Sequence, residues 1–161
     1  MIEIRNAVAA DAPAACQVIR RSIVELCVAD HRNDHAILAR WLSNKTPEIF
    51  LSWLALPANS MLVAVEGGRI IGVGCVTAAG EITLNYVSPD ARFRGVSRAV
   101  LHALEARALE RGNVRCTLAS TETARRFYQS AGYTQLGPVD RKFGMESGYP
   151  MAKALTARGS G

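Results

Sequence analysis

The residues Val87-Ser88-Pro89-Asp90-Ala91-Arg92-Phe93-Arg94-Gly95-Val96-Ser97-Arg98 place three arginines around one glycine, immediately before a stretch of helical period. A helix N-terminus presents backbone N–H groups that lack an intrahelical acceptor, at the positive end of the helix dipole. Gly95 has no Cβ, so a large anion can approach the backbone closely. Surrounded by Arg92, Arg94 and Arg98, this turn has the parts of a phosphate or pyrophosphate site. The competing reading is an ordinary solvated arginine face. Neither Gly-x-Gly-x-x-Gly nor a Gly-Lys-Ser/Thr ending is present, which argues against dinucleotide and nucleoside-triphosphate sites.

Other candidates carry less. His31 and His35 are four apart, a spacing that suits a metal on one helix face, but no third ligand accompanies them and no metal is expected. Asp30 and Asp34 flank them in an Asp/Asn-rich stretch that reads as a helix boundary. Cys16, Cys27, Cys75 and Cys116 form no close pair and no Cys-x-x-Cys, so buried free thiols in a reducing cytoplasm are expected. Trp41 and Trp53 fall on apolar helical stripes and read as core. Arg20-Arg21 and Arg125-Arg126 read as side chains snorkelling from helix faces.

The elements that must position these groups follow from periodicity. Ile2 to Arg5 alternates as a short strand. Asp11 as N-cap and Pro13 in the first turn open a helix to about Val28. A second helical patch holds Ile37, Leu38, Trp41 and Leu42, and Thr46-Pro47 opens a third segment through Leu56. The period then changes to strands over Met61 to Glu66 and Arg69 to Thr77, joined by Gly67-Gly68, with Glu81 to Ser88 as the next. A helix is expected from Val96 to Arg111, a strand from Val114 to Ala119, a helix from Thr123 to Ala131 and a strand from Tyr133 to Leu136. A loop through Pro138 and Gly144 leads to a final strand, Tyr149 to Leu155. Helices inserted among hairpins imply an α+β fold: a central mixed, mostly antiparallel sheet of about six to seven strands with helices on both faces.

With 161 residues, one domain over residues 1–156 and a flexible tail at 157–161 are expected. A 49% apolar and 20% charged composition excludes a disordered polar chain and a Cys-dense scaffold. No apolar run approaches the roughly 18 to 20 residues of a membrane span, and no basic-then-apolar leader opens the chain, so a cytoplasmic protein is expected. The net charge of +5 suits nucleic acid, a small polyanion or a plain basic surface. Clustering of arginines at one turn, without interleaved aromatics, favours the small polyanion. A homodimer is left open.

Arg92-Phe93-Arg94-Gly95-Val96-Ser97 resembles the Arg/Gln-x-x-Gly-x-Gly/Ala motif with which GNAT N-acetyltransferases hold the pyrophosphate of acetyl-CoA. Thr121-x-x-Ala124-x-x-Phe127-Tyr128-x-x-x-Gly132-Tyr133 is similar to that family's second signature, usually Asn-x-x-Ala-x-x-Phe/Leu-Tyr-x-x-x-Gly-Phe. Ser97 replaces the usual Gly or Ala, and Thr121 the frequent Asn. The element order matches the GNAT fold over nearly the whole chain. The resemblance implies an acetyl-CoA-dependent N-acetyltransferase that acts by direct transfer to the amine of a small molecule or peptide. A GNAT-fold protein that holds coenzyme A in a regulatory role without turnover is the alternative.

The resemblance also assigns residues. Arg92, Phe93, Arg94, Gly95, Val96, Ser97 and Arg98 would hold the pyrophosphate, and Thr121 would meet the pantetheine arm. A backbone N–H at Tyr86 or Val87 would polarise the thioester carbonyl, on a strand that splays from its neighbour. Tyr128 would protonate the leaving thiolate and contact the cofactor, since a phenol of pKa about 10 keeps its proton at pH 7. A lysine-like amine is neutral in only roughly one molecule in two thousand at pH 7, so a base or a water chain is needed. Glu81 aligns with a strand-borne general base, against the plainer reading of a surface carboxylate beside a turn. Cys116 stands where some relatives carry the base. Asp30 or Asp34 borders the acceptor region and is expected to draw a cationic amine.

Overall fold

The structure, a computed structural model, describes residues 1–142 and 145–156. Eight strands, β1 (Glu3–Asn6), β2 (Asn59–Glu66), β3 (Arg69–Thr77), β4 (Glu81–Val87), β5 (Arg115–Ser120), β6 (Thr134–Gln135), β7 (Asp140–Lys142) and β8 (Met145–Ala154), are interspersed with helices. The helices are α1 (Ala12–Leu26), α2 (Val28–His31), α3 (His35–Leu42), α4 (Pro47–Leu54), α5 (Val96–Glu110) and α6 (Arg125–Ser130). The sheet order is β1-β2-β3-β4-β5-β8-β6, with β7 pairing β8 off that path. β4 and β5 run parallel and the other described pairings are antiparallel, so the sheet is mixed and mostly antiparallel, as expected.

Successive strand residues point to opposite faces, and β2 uses both. Met61 and Val63 join Ile19, Ile23, Phe50, Val73 and Leu84 in the core under α1 and α4. Leu62 and Ala64 join Val96, Val100, Leu104, Leu118 and Met151 in the core under α5. Such two-sided burial explains why the central strands read as apolar runs instead of alternating patterns. α5 lies directly on β3 because Gly74 has no side chain: a Cβ there would sit 2.6 Å from a Val100 methyl.

Several expected boundaries move for identifiable reasons. Asp11 does not cap α1 with its side chain; the carboxylate accepts the Val8 N–H at 2.8 Å and pairs with Arg5 at 2.8 Å. The Arg5 guanidinium holds the Asp11 carboxyl below the usual carboxylate range. The first helix stops at Leu26, and α2 follows as a separate turn. Asp34 caps α3 by accepting from Ala36 and Ile37, and Thr46 caps α4 by accepting from Ile49 at 3.3 Å. Where a loop was expected after Pro138, β7 pairs with the first part of β8. Gly144 and the tail expected to be flexible lie outside the described residues. Trp41 and Trp53 pack at the edge of the α1-side core, as their stripes predict. Arg21 does not merely snorkel: it pairs with Glu25 and Asp90, each at 2.9 Å.

Candidate active site

The parallel pairing of β4 with β5 is short. It joins Glu81 to Thr117 and Ile82 to Leu118, and no further. Beyond that point β4 stays bonded to β3 through Val87, while β5 stays bonded to β8 through Ser120. The two strands therefore diverge, and a cavity of about 500 Å³ opens between them. Its floor is β4 from Ile82 to Val87. One wall is the N-terminus of α5, a second is α6 with Phe127 and Tyr128, and a third is the end of α1 with Ser22, Leu26 and Cys27.

At the α5 wall, Gly95 adopts a left-handed φ of +80°, and no side chain caps the helix that follows. The first helical bond at this end runs from the Ala99 N–H to the Gly95 carbonyl, so the N–H groups of Val96, Ser97 and Arg98 are the free donors of the first turn. A Cβ on Gly95 would meet nothing within 4 Å, so the space in front of the backbone is open. Arg92, Phe93, Gly95, Val96, Ser97 and Arg98 all line the cavity. Arg94 does not; its guanidinium is held by Glu66 at 2.6 Å. Among the described residues Arg92 and Arg98 have no carboxylate partner, and Arg98 instead lies over the Phe127 ring and donates to Ser130. Two uncompensated cations and a set of backbone donors can hold a pyrophosphate without desolvating any competing acid.

At the α6 wall, Tyr128 is buried, with its ring edge-on to Phe127 and Tyr133. Burial pushes its phenol up to about 12, while the Asn85 side chain pulls the other way. Tyr128 therefore stays protonated throughout the physiological range. Asn85 Oδ1 is buried and has no hydrogen-bond partner among the described residues. The Thr121 hydroxyl accepts the Ala124 N–H at 3.1 Å, which commits one lone pair to the start of α6 and leaves its proton free to donate.

At the α1 wall, the Cys27 thiol is pushed up to about 12 by burial and is not a nucleophile at neutral pH. The Tyr86 phenol is raised by burial, with the Trp41 side chain opposing. Asp30 holds the site together from outside it. Its buried carboxylate accepts the Glu122 N–H at 2.7 Å, the Thr123 N–H at 3.2 Å and the Thr123 hydroxyl at 2.6 Å. Asp30 and Asp34 both accept N–H groups of the protein, and neither lines the cavity. His31 is also spoken for: Nδ1 accepts the Asn33 N–H, so Nε2 carries the hydrogen that it donates to the Val24 carbonyl.

Glu81 does not reach the cavity. It is exposed at the paired end of β4, whereas the cavity opens along the diverging end. Cys116 is fully buried under α5, with its thiol pushed up to about 11 by burial, and it lies outside the lining as well. Among the described residues no carboxylate and no imidazole lines the cavity. The side chains that sequence reasoning missed are Asn85, Ser22 and Thr123, along with the fixing role of Asp30. Asn85 had a signal, as an amide in an otherwise β-prone strand; the others had none.

The match of a family model, described as an acetyltransferase (GNAT) domain, runs over residues 28–155. The chain belongs to the GNAT acetyltransferase family. A comparison with curated proteins returns no match. Solved structures of similar fold include a GCN5-related N-acetyltransferase from Rhodopseudomonas palustris, 23% identical over 95% of each chain with a TM-score of 0.84. The PaiA N-acetyltransferase from Thermoplasma acidophilum, solved in complex with coenzyme A, is 19% identical over 96% of this chain and 99% of that one, with a TM-score of 0.82. The ribosomal-protein-S18-alanine N-acetyltransferase from Escherichia coli is 19% identical over 99% and 97%, with a TM-score of 0.70. At these identities the likeness shows the GNAT fold. Among the described residues of this GNAT chain, no helix is long and apolar enough to cross a membrane, and no group of three or more metal-ligating side chains occurs.

Proposed function

We propose that this GNAT protein transfers an acetyl group from acetyl-CoA directly to an amine, with no covalent enzyme intermediate. The observation that carries the reading is the divergence of β4 from β5 after Ile82, between an uncapped helix N-terminus and a buried phenol. A pantetheine arm fits such a gap, its pyrophosphate on the N–H groups of Val96 to Arg98 and its charge met by Arg92 and Arg98. The complex of the Thermoplasma acidophilum N-acetyltransferase with coenzyme A supports this choice of donor. The buried free thiols suit a reducing cytoplasm.

The amine nitrogen attacks the thioester carbonyl carbon, a backbone N–H of Tyr86 or Val87 stabilises the oxyanion, and the C–S bond breaks. Tyr128 donates its proton to the departing sulfur, and the proton lost by the amine returns through water to restore the phenol. A phenol at about 12 looks too weak an acid for an aqueous thiolate. Burial raises the Cys27 thiol as well, so this cavity disfavours a bare thiolate in the same way as a bare phenolate, which favours handing the proton to the sulfur as it departs. Because Glu81 lies off the cavity, deprotonation by a water chain is favoured over direct transfer to that carboxylate.

A panel of amines incubated with acetyl-CoA, followed by release of free thiol, tests this reading. Thiol release with at least one amine, abolished or strongly reduced in Tyr128→Phe, is expected. Binding of CoA with no release for any amine would instead establish the non-catalytic CoA-binding protein.

A further inference from the structure

Phe93 stands out in the arginine turn. Its side chain is 89% exposed, and its backbone adopts a left-handed φ of +65° that glycine or asparagine would occupy with less strain. Neither backbone preference nor burial explains a phenylalanine at such a position. The ring nevertheless belongs to the cavity rim, and the Arg92 guanidinium lies 4.4 Å from its centroid. The cation is stacked over one face of the ring, and the exposed pair stands beside the open space in front of Gly95.

We propose that Phe93 and Arg92 form a stacking platform for the purine base of the donor coenzyme. The inference rests on the proposed function, because it requires the pyrophosphate to sit at the first turn of α5. From that point the acyl-bearing arm runs inward between β4 and β5, and the nucleoside end must project outward past the rim. A purine presents a π-face that stacks on an aromatic side chain or a guanidinium plane, and the charge of Arg92 suits the phosphorylated sugar beside it. Arg92 is available for this work, since it has no carboxylate partner among the described residues, while Arg94 next to it is held by Glu66. The platform makes the enzyme discriminate the complete coenzyme from a shorter phosphopantetheine donor.

Calorimetric titration of the full chain with CoA and with 4′-phosphopantetheine tests the platform without requiring the acceptor. In Phe93→Leu the affinity for CoA is expected to fall about tenfold, corresponding to about 1.4 kcal/mol of lost stacking, with affinity for 4′-phosphopantetheine unchanged. Phe93→Trp is expected to keep the CoA affinity, and its added fluorescence to be quenched by CoA but not by 4′-phosphopantetheine. Unchanged CoA affinity in Phe93→Leu, or an equal loss for both ligands, overturns the platform while leaving the donor site standing. Failure of the wild-type chain to bind CoA overturns the donor reading itself, and the platform with it.

Discussion

The wall of the cleft made by the turn before α5 and the wall made by the end of α1 are built by opposite means. The α5 wall is local: one short run of chain supplies the left-handed glycine, the backbone donors and the arginines. The α1 wall is assembled from distant segments. Ser22 and Cys27 line the cavity together with Tyr86 of β4, and Asp30 reaches the loop before α6, 92 positions along the chain, to fix Glu122 and Thr123. A site made of backbone N–H groups tolerates side-chain change and depends on conformation. A site made of side chains depends on each tether.

That contrast can be broken in order of effect. The largest expected change is in Tyr128→Phe, which removes the proton donor; kcat should fall about a hundredfold while CoA affinity in calorimetry holds. Intact turnover in this variant would move the proton to water. The pH profile sharpens the same point. Because the Tyr128 phenol is raised to about 12, the acid form persists, so kcat/KM should climb as the acceptor amine loses its proton and show no descending limb below about pH 11.

Next comes the tether. Asp30→Ala removes the carboxylate that accepts the Glu122 and Thr123 N–H groups in a partly buried setting, at a cost of about 2 to 3 kcal/mol. For a chain of 161 residues that corresponds to a fall in Tm of about 4 to 12 °C, measured by thermal denaturation. A smaller loss of stability is expected for Gly95→Ala, about 1 kcal/mol for a β-carbon at positive φ, since the space is open. CoA affinity in that variant should nevertheless drop, because the methyl stands where the anion approaches. The smallest effects separate the arginines. Arg92→Ala or Arg98→Ala should weaken CoA severalfold and flatten its salt dependence. Arg94→Ala should lose only an exposed pair with Glu66, leaving the Tm and CoA binding nearly as they were.

The same contrast explains what could be read in advance. The α5 turn was legible because its function lies in consecutive residues and in a helix start that periodicity reveals. The strands β2 and β3 are legible because burial on both faces leaves apolar runs with glycine punctuation, β4 because its first residues alternate, and α5 because its buried residues recur at helical spacing. β7 was not, since Asp140-Arg141-Lys142 has no apolar alternation and is held by its ladder to β8. The tethering role of Asp30 is not legible, because an acid in an Asp/Asn-rich stretch looks only like a helix boundary and nothing local reveals an N–H donor 92 residues away. Glu81 looked like a base because a strand position does not say on which side of a splay it falls. Only the register, paired at Glu81 and open beyond Ile82, decides that.

A crystal structure with CoA bound tests the central claim most directly. The pyrophosphate is expected within hydrogen-bond distance of the N–H groups of Val96 to Arg98, the pantetheine between β4 and β5, and the sulfur beside the Tyr128 hydroxyl. Coenzyme seated elsewhere on the chain, or β4 and β5 zipped together past Ile82, would contradict it.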